Sequence, residues 1–156
     1  MSLTKAALIP NVIKLKPTDK VSTAMATFKE QNIRSIPVVD DEGKYLGIFG
    51  LRHVLKKLLP VSVQMEDGLE NLDFVREATP GIAKRLKKLY EEEVGDNLDK
   101  DISCVELGTS MWEVTRVMAL HGSPVAIINQ ETQEFEGLVS RQTLLQHLDD
   151  TIEEIK

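Results

Sequence analysis

Few side chains in this 156-residue chain could do chemistry. His53, His121 and His147 do not fall at the His-x-x-x-His spacing that sets two imidazoles on one helix face. Cys104 is the single cysteine, so no second thiolate is available to share a metal. No Gly-x-Ser-x-Gly elbow presents a nucleophilic serine, and no Walker-A or dinucleotide-binding glycine pattern occurs. The remaining candidates are cations and hydroxyls. Arg34, Arg52 and Arg141 carry planar guanidinium forks that match phosphate oxygens. Ser140 and Thr143 lie three apart, so both can face one side of a helical turn. Each has an ordinary alternative: an arginine can lie solvated on the surface, and Ser140 suits a helix N-cap. This inventory predicts a binding protein with no metal site and no catalytic residues.

The elements that must position these residues come twice. Sliding the sequence against itself by 90 residues sets Leu8 on Leu98, Val12 on Ile102, Phe28 on Met118, Gly47 on Gly137 and Leu55 on Leu145. The second copy drops one residue near Gly122 and gains one after Asn129. Val12 to Leu15 and Ile102 to Glu106 are short strand candidates. Val21, Ala24, Met25 and Phe28 fall on one helix face with Asp19 placed to cap it; Met111, Val114, Thr115 and Met118 repeat the spacing behind a Ser110/Glu113 capping box. Two β-rich runs around a polar turn follow in each copy, Ser35 to Asp40 with Tyr45 to Phe49, and Val125 to Asn129 with Phe135 to Val139. A second helix closes each unit, striped by Leu51, Val54, Leu55 and Leu58 or by Leu144, Leu145, Leu148, Ile152 and Ile155. The unit is β-α-β-β-α, an α/β (α+β) arrangement. Cys104 on its strand and Trp112 at a helix start are expected to pack inside.

Between the copies, Met65, Leu69, Leu72 and Val75 suggest one short helix, and Ile82, Leu86, Leu89 and Tyr90 a second one opened by Thr79-Pro80. The basic run Lys84-Arg85-Lys87-Lys88 precedes Glu91-Glu92-Glu93, as on a solvated face. The expected division is 4–59, a connecting helical segment 60–93, 94–150, and a helix end at 151–156. With 19 Lys and Arg against 25 Asp and Glu, the net charge of -6 argues against nucleic-acid binding. At 42% hydrophobic the chain can bury a core of its own without staples. No uncharged stretch reaches the roughly 20 apolar residues of a membrane span, and no secretory signal opens the chain. With one unpaired cysteine, these features predict a cytoplasmic protein that does not engage membranes.

The repeated unit resembles a CBS domain, and the doubled unit a CBS pair or Bateman module. The marks are Ser35-Ile-Pro-Val-Val-Asp40 followed by Tyr45-Leu-Gly-Ile-Phe49, and Val125-Ala-Ile-Ile-Asn129 followed by Phe135-Glu-Gly-Leu-Val-Ser140. The resemblance implies pseudo-twofold symmetry, two clefts between the repeats, homodimerisation, and a regulatory role toward an effector protein. It implies no required cofactor, and AMP, ADP, ATP or S-adenosylmethionine as the regulatory ligand. The family's ribose pattern is glycine, apolar, any residue, Ser or Thr, two residues, then Asp. Here it reads Gly47-Ile-Phe-Gly50-Leu-Arg-His53 and Gly137-Leu-Val-Ser140-Arg-Gln-Thr143. Neither copy has the carboxylate that accepts from both ribose hydroxyls. The resemblance therefore puts the candidate ligand residues at Ser140, Arg141 and Thr143, with Arg34, Arg52 and His53. The rival expectation is a degenerate pair that serves as a dimerisation or protein-interaction module and binds no nucleotide.

Overall fold

The computed structural model describes residues 7–59 and 79–155. Helix α1 (Val21–Gln31) is followed by β1 (Ser35–Val39), β2 (Tyr45–Gly50) and α2 (Leu51–Leu58). Then come α3 (Thr79–Tyr90), a 3-10 turn (Val94–Asp96), β3 (Cys104–Glu106), α4 (Met111–His121), β4 (Val125–Ile128), β5 (Phe135–Val139) and α5 (Arg141–Ile155). The expected tandem order is present. The expected helix around Met65 to Val75, with Leu69 and Leu72, lies outside the described residues.

Each repeat builds an antiparallel hairpin, β1 on β2 and β4 on β5, with a register shift at the same relative place, Val38/Val39 and Ile127/Ile128. The turns close by the same device. Asp40 Oδ1 accepts from the Glu42 and Lys44 N–H groups, and Asn129 Oδ1 from those of Glu131 and Thr132. β3 adds to β4 in parallel, whereas the matching Val12–Leu15 run makes a single parallel bridge, Leu15 to Val38. The helix faces cover one side of each sheet. Val21, Ala24 and Phe28 join Ile36, Val38 and Phe49 in one core, and Val114, Val117 and Met118 join Val125, Ile127 and Val139 in the other. Ile48, Ala126 and Leu138 fill a third core on the opposite sheet faces, where Tyr45 stacks on Phe135 at 5.9 Å.

The segment leading into each repeat crosses to the other. Ala7 is buried in the second repeat's core, and the Ile9 N–H donates to the Leu138 carbonyl. Symmetrically, the Asp99 N–H donates to the Ile48 carbonyl at 2.7 Å. Helix α3 belongs with the first repeat: Leu89 is in its core, with Leu86 and Tyr90 against it.

Three local expectations are corrected. Asp19 does not cap α1: Lys20 is the N-cap residue, and the Asp19 carboxylate accepts from the Lys16 N–H instead. Trp112 is 88% exposed, because Val114, Val117 and Met118 turn the opposite face of α4 inward. Cys104 is exposed, because β3 is an edge strand whose middle residue, Val105, points to the core. The Ser110 cap does form, accepting from the Glu113 N–H at 3.1 Å, while the Glu113 carboxylate turns to Arg116.

Candidate ligand-binding clefts

Two adjoining clefts open between the repeats, and each combines a β-to-α junction of one repeat with an α-to-β turn of the other. The larger, about 610 Å³, lies between Asn32–Ser35 of the first repeat and Leu138 with Ser140–Thr143 of the second. The smaller, about 320 Å³, lies between His121–Pro124 of the second repeat and Gly50–Arg52 of the first. The α-to-β turns are built alike. Asn32, at φ 52°, and Gly122, at φ 94°, end α1 and α4 in positive-φ conformations, each with its N–H on the carbonyl four residues back. The turn after Asn32 brings Arg34 to the larger cleft.

At the β5–α5 junction two hydroxyls lock together. Ser140 Oγ accepts the Thr143 N–H at 3.1 Å, and Thr143 Oγ1 accepts the Ser140 N–H at 3.0 Å. The two oxygens are 3.2 Å apart. This reciprocal box satisfies exposed donors at the start of α5. Both hydroxyls line the larger cleft, yet much of their bonding capacity is already used within the helix start.

The charges of the two clefts differ. Arg34 and Arg141 line the larger one, and none of its described lining residues is acidic. Neither guanidinium has an ion-pair partner among the described residues. The smaller cleft is walled by Arg34, Arg52 and Arg141 but also by Asp99 and Asp101. There Arg52 Nη2 donates to both Asp99 oxygens, at 3.0 and 3.2 Å, and stands 3.7 Å from Asp101. The sequence-predicted residues therefore separate: Arg34, Ser140, Arg141 and Thr143 meet in one cleft, while Arg52 is in the other and paired. His53 lines neither; its Nε2 is buried without a hydrogen-bond partner. Burial pushes the His53 pKa below its ordinary 6.5, an effect opposed by Asp99 and reinforced by Lys57, Lys56 and Arg52.

Sequence reasoning missed Asp99. It sits 90 positions beyond Ile9, an apolar wall of the larger cleft, so the repeat alignment pairs a carboxylate with a hydrocarbon. That mismatch was the available signal. Among the described residues no cluster of His, Cys, Asp or Glu could hold a metal ion, and no helix is long and apolar enough to cross a membrane.

Paired sheets, crossed lead-in segments and two pseudo-symmetric clefts define the architecture of a CBS pair. Residues 5–60 match the family model for the CBS domain. The Arabidopsis thaliana CBS-pair protein CBSX2 superposes with a TM-score of 0.71 at 16% identity, over 97% of this chain and 95% of that one. CBSX2 in complex with AMP gives 0.66 at 17% identity, over 96% of each chain. CbpB in complex with c-di-AMP gives 0.66 at 12% identity, over 97% of this chain and 87% of that one. An uncharacterized protein of Methanocaldococcus jannaschii is 24% identical over 90% of this chain, which spans only 30% of that relative's length. The first repeat is thus a CBS domain, and the chain as a whole has the CBS-pair fold.

Proposed function

We propose that this chain is a non-catalytic, cytoplasmic regulatory CBS pair that acts as a homodimer. It binds an adenosine-containing ligand in the larger cleft and passes a change of shape to an effector protein. The observation that carries this reading is the larger cleft itself: two arginines, one from each repeat, face a cavity with no carboxylate among its described lining residues, in a chain of net charge -6. A phosphate there would meet two cations that have no ion-pair partner among the described residues. The described lining residues offer no carboxylate to a sulfonium or an amino group, so AMP, ADP and ATP fit the cleft better than S-adenosylmethionine. The complexes of CBSX2 with AMP and of CbpB with c-di-AMP support the adenosine class. Because the ligand contacts both repeats, it shifts their arrangement to the extent that it binds one arrangement better than another.

The test is a nucleotide panel read by thermal shift, followed by calorimetry. Without a ribose-accepting carboxylate, affinity should be micromolar to millimolar, roughly -8 to -4 kcal/mol. Thr143→Asp keeps an acceptor for the Ser140 N–H and adds a second oxygen for the ribose. It should strengthen binding by about 1 kcal/mol, or roughly fivefold. If it folds and still ignores every adenosine ligand, the second reading holds: a degenerate CBS pair that works as an interaction module. Trp112, 88% exposed, and Leu120, 63% exposed, on one face of α4 favour that alternative.

A further inference from the structure

The two clefts are separated by a common wall. Arg34, Ser35, Ser123, Pro124 and Arg141 line both, so the same two guanidiniums face each cavity. A phosphate placed against Arg34 and Arg141 from the larger cleft uses the cations that a ligand in the smaller cleft would need. The smaller cleft's own cation, Arg52, is already engaged by Asp99. The Asp99 carboxylate is only 5% exposed, held in place by its backbone bond to Ile48 and by the Asp101 N–H on its Oδ1. Lys56, the next cation along α2, stands 3.7 Å from Asp101. The smaller cleft thus holds two carboxylates, the buried Asp99 and the exposed Asp101, which offset its own cation Arg52 and would face an incoming phosphate.

We propose that the clefts are not equivalent sites: the chain binds one mononucleotide, in the larger cleft, and Asp99 excludes a second by holding Arg52 in the smaller one. This rests on the reading of the larger cleft as a nucleotide site. It adds the stoichiometry, the residue that sets it, and the preference for a ligand with its phosphate at the Arg34–Arg141 wall. Asp99 is here a specificity-determining residue. It acts through Arg52 and by like-charge repulsion of the ligand.

Calorimetry with AMP on the purified full chain tests this. The wild type should bind one AMP per chain. Arg141→Gln should weaken that binding tenfold or more, whereas Arg52→Gln should change it by less than about twofold. Asp99→Asn frees Arg52 and removes one negative charge, so the variant should take up a second AMP. Two AMP per wild-type chain with similar affinities would overturn the inference and leave the nucleotide-binding reading standing. Equal losses in Arg52→Gln and Arg141→Gln would also overturn it, as would an Asp99→Asn variant that folds by circular dichroism yet stays at one AMP. If Asp99→Asn does not fold, the wild-type stoichiometry and the two arginine variants still decide. No AMP bound to any of these proteins defeats both the reading and the inference.

Discussion

His53 and Thr143 occupy matching positions of the two repeats and meet different fates. Thr143 turns back to complete the helix start with Ser140, so a residue selected as a ligand contact also carries part of the N-terminal capping of α5. His53 is turned away from both clefts, with a buried, unbonded Nε2 and a depressed pKa. That depression has a definite consequence for stability. As pH falls through 6.5 the unfolded chain's histidine takes up a proton, while the folded His53 resists until lower pH. The unfolded state then binds more protons, so the contribution of neutral His53 is fully present above 6.5 and is lost as pH drops below it. Melting temperature should fall between about pH 7.5 and about 5.5, and His53→Gln should reduce that fall. Equal falls in both proteins would show that other groups govern the acid limb.

Among the elements, the crossed lead-in segments depend on two glycines. Gly47 and Gly137 sit opposite the register shifts of the two hairpins, at φ +153° and +155°. A Cβ on Gly137 would lie 2.8 Å from Leu8 Cδ2, and one on Gly47 would lie 3.1 Å from Leu98 Cδ1. Only a missing side chain lets Leu8 lie against the second repeat and Leu98 against the first. Gly137→Ala should therefore cost about 1–3 kcal/mol through overpacking, with backbone strain added. Gly43→Ala is the control, since its φ of +84° carries strain but nothing stands within 4 Å of its Cβ. Urea melts should show the larger loss for Gly137→Ala; equal losses would mean that the Leu8 contact contributes little.

On the scale of the whole molecule, the second repeat presents more apolar surface than one chain covers. Trp112 and Leu120 lie on the outer face of α4, and Leu145, Ile152 and Ile155 lie exposed along α5. The matching α1 positions Ser22 and Glu30 are polar, so α4 and α5 are the expected dimer face, more than α1. Light scattering should report a dimer across micromolar concentrations. Trp112 is the only tryptophan, so its emission should shift to the red as dilution exposes it to water. A monomer at all concentrations, with unchanged emission, would sink the dimer.

The sequence by itself determined the repeat, the order of its elements and most helix bounds. Those features arise from local periodicity: Val21, Ala24 and Phe28 face one way wherever the helix is placed. The Asp40 and Asn129 turns and the Ser110 and Ser140 caps were equally local, since each closes within four residues. Tertiary structure decided which candidates share a cavity. Arg34 and Ser140 belong to different repeats, and only the packing of Ile48 with Ala126 and Leu138 brings their turns together. It likewise decided that Asp99, 47 residues from Arg52, would neutralise it, and that Trp112 would face solvent. Such pairings depend on contacts between distant segments, and no spacing along the chain encodes them.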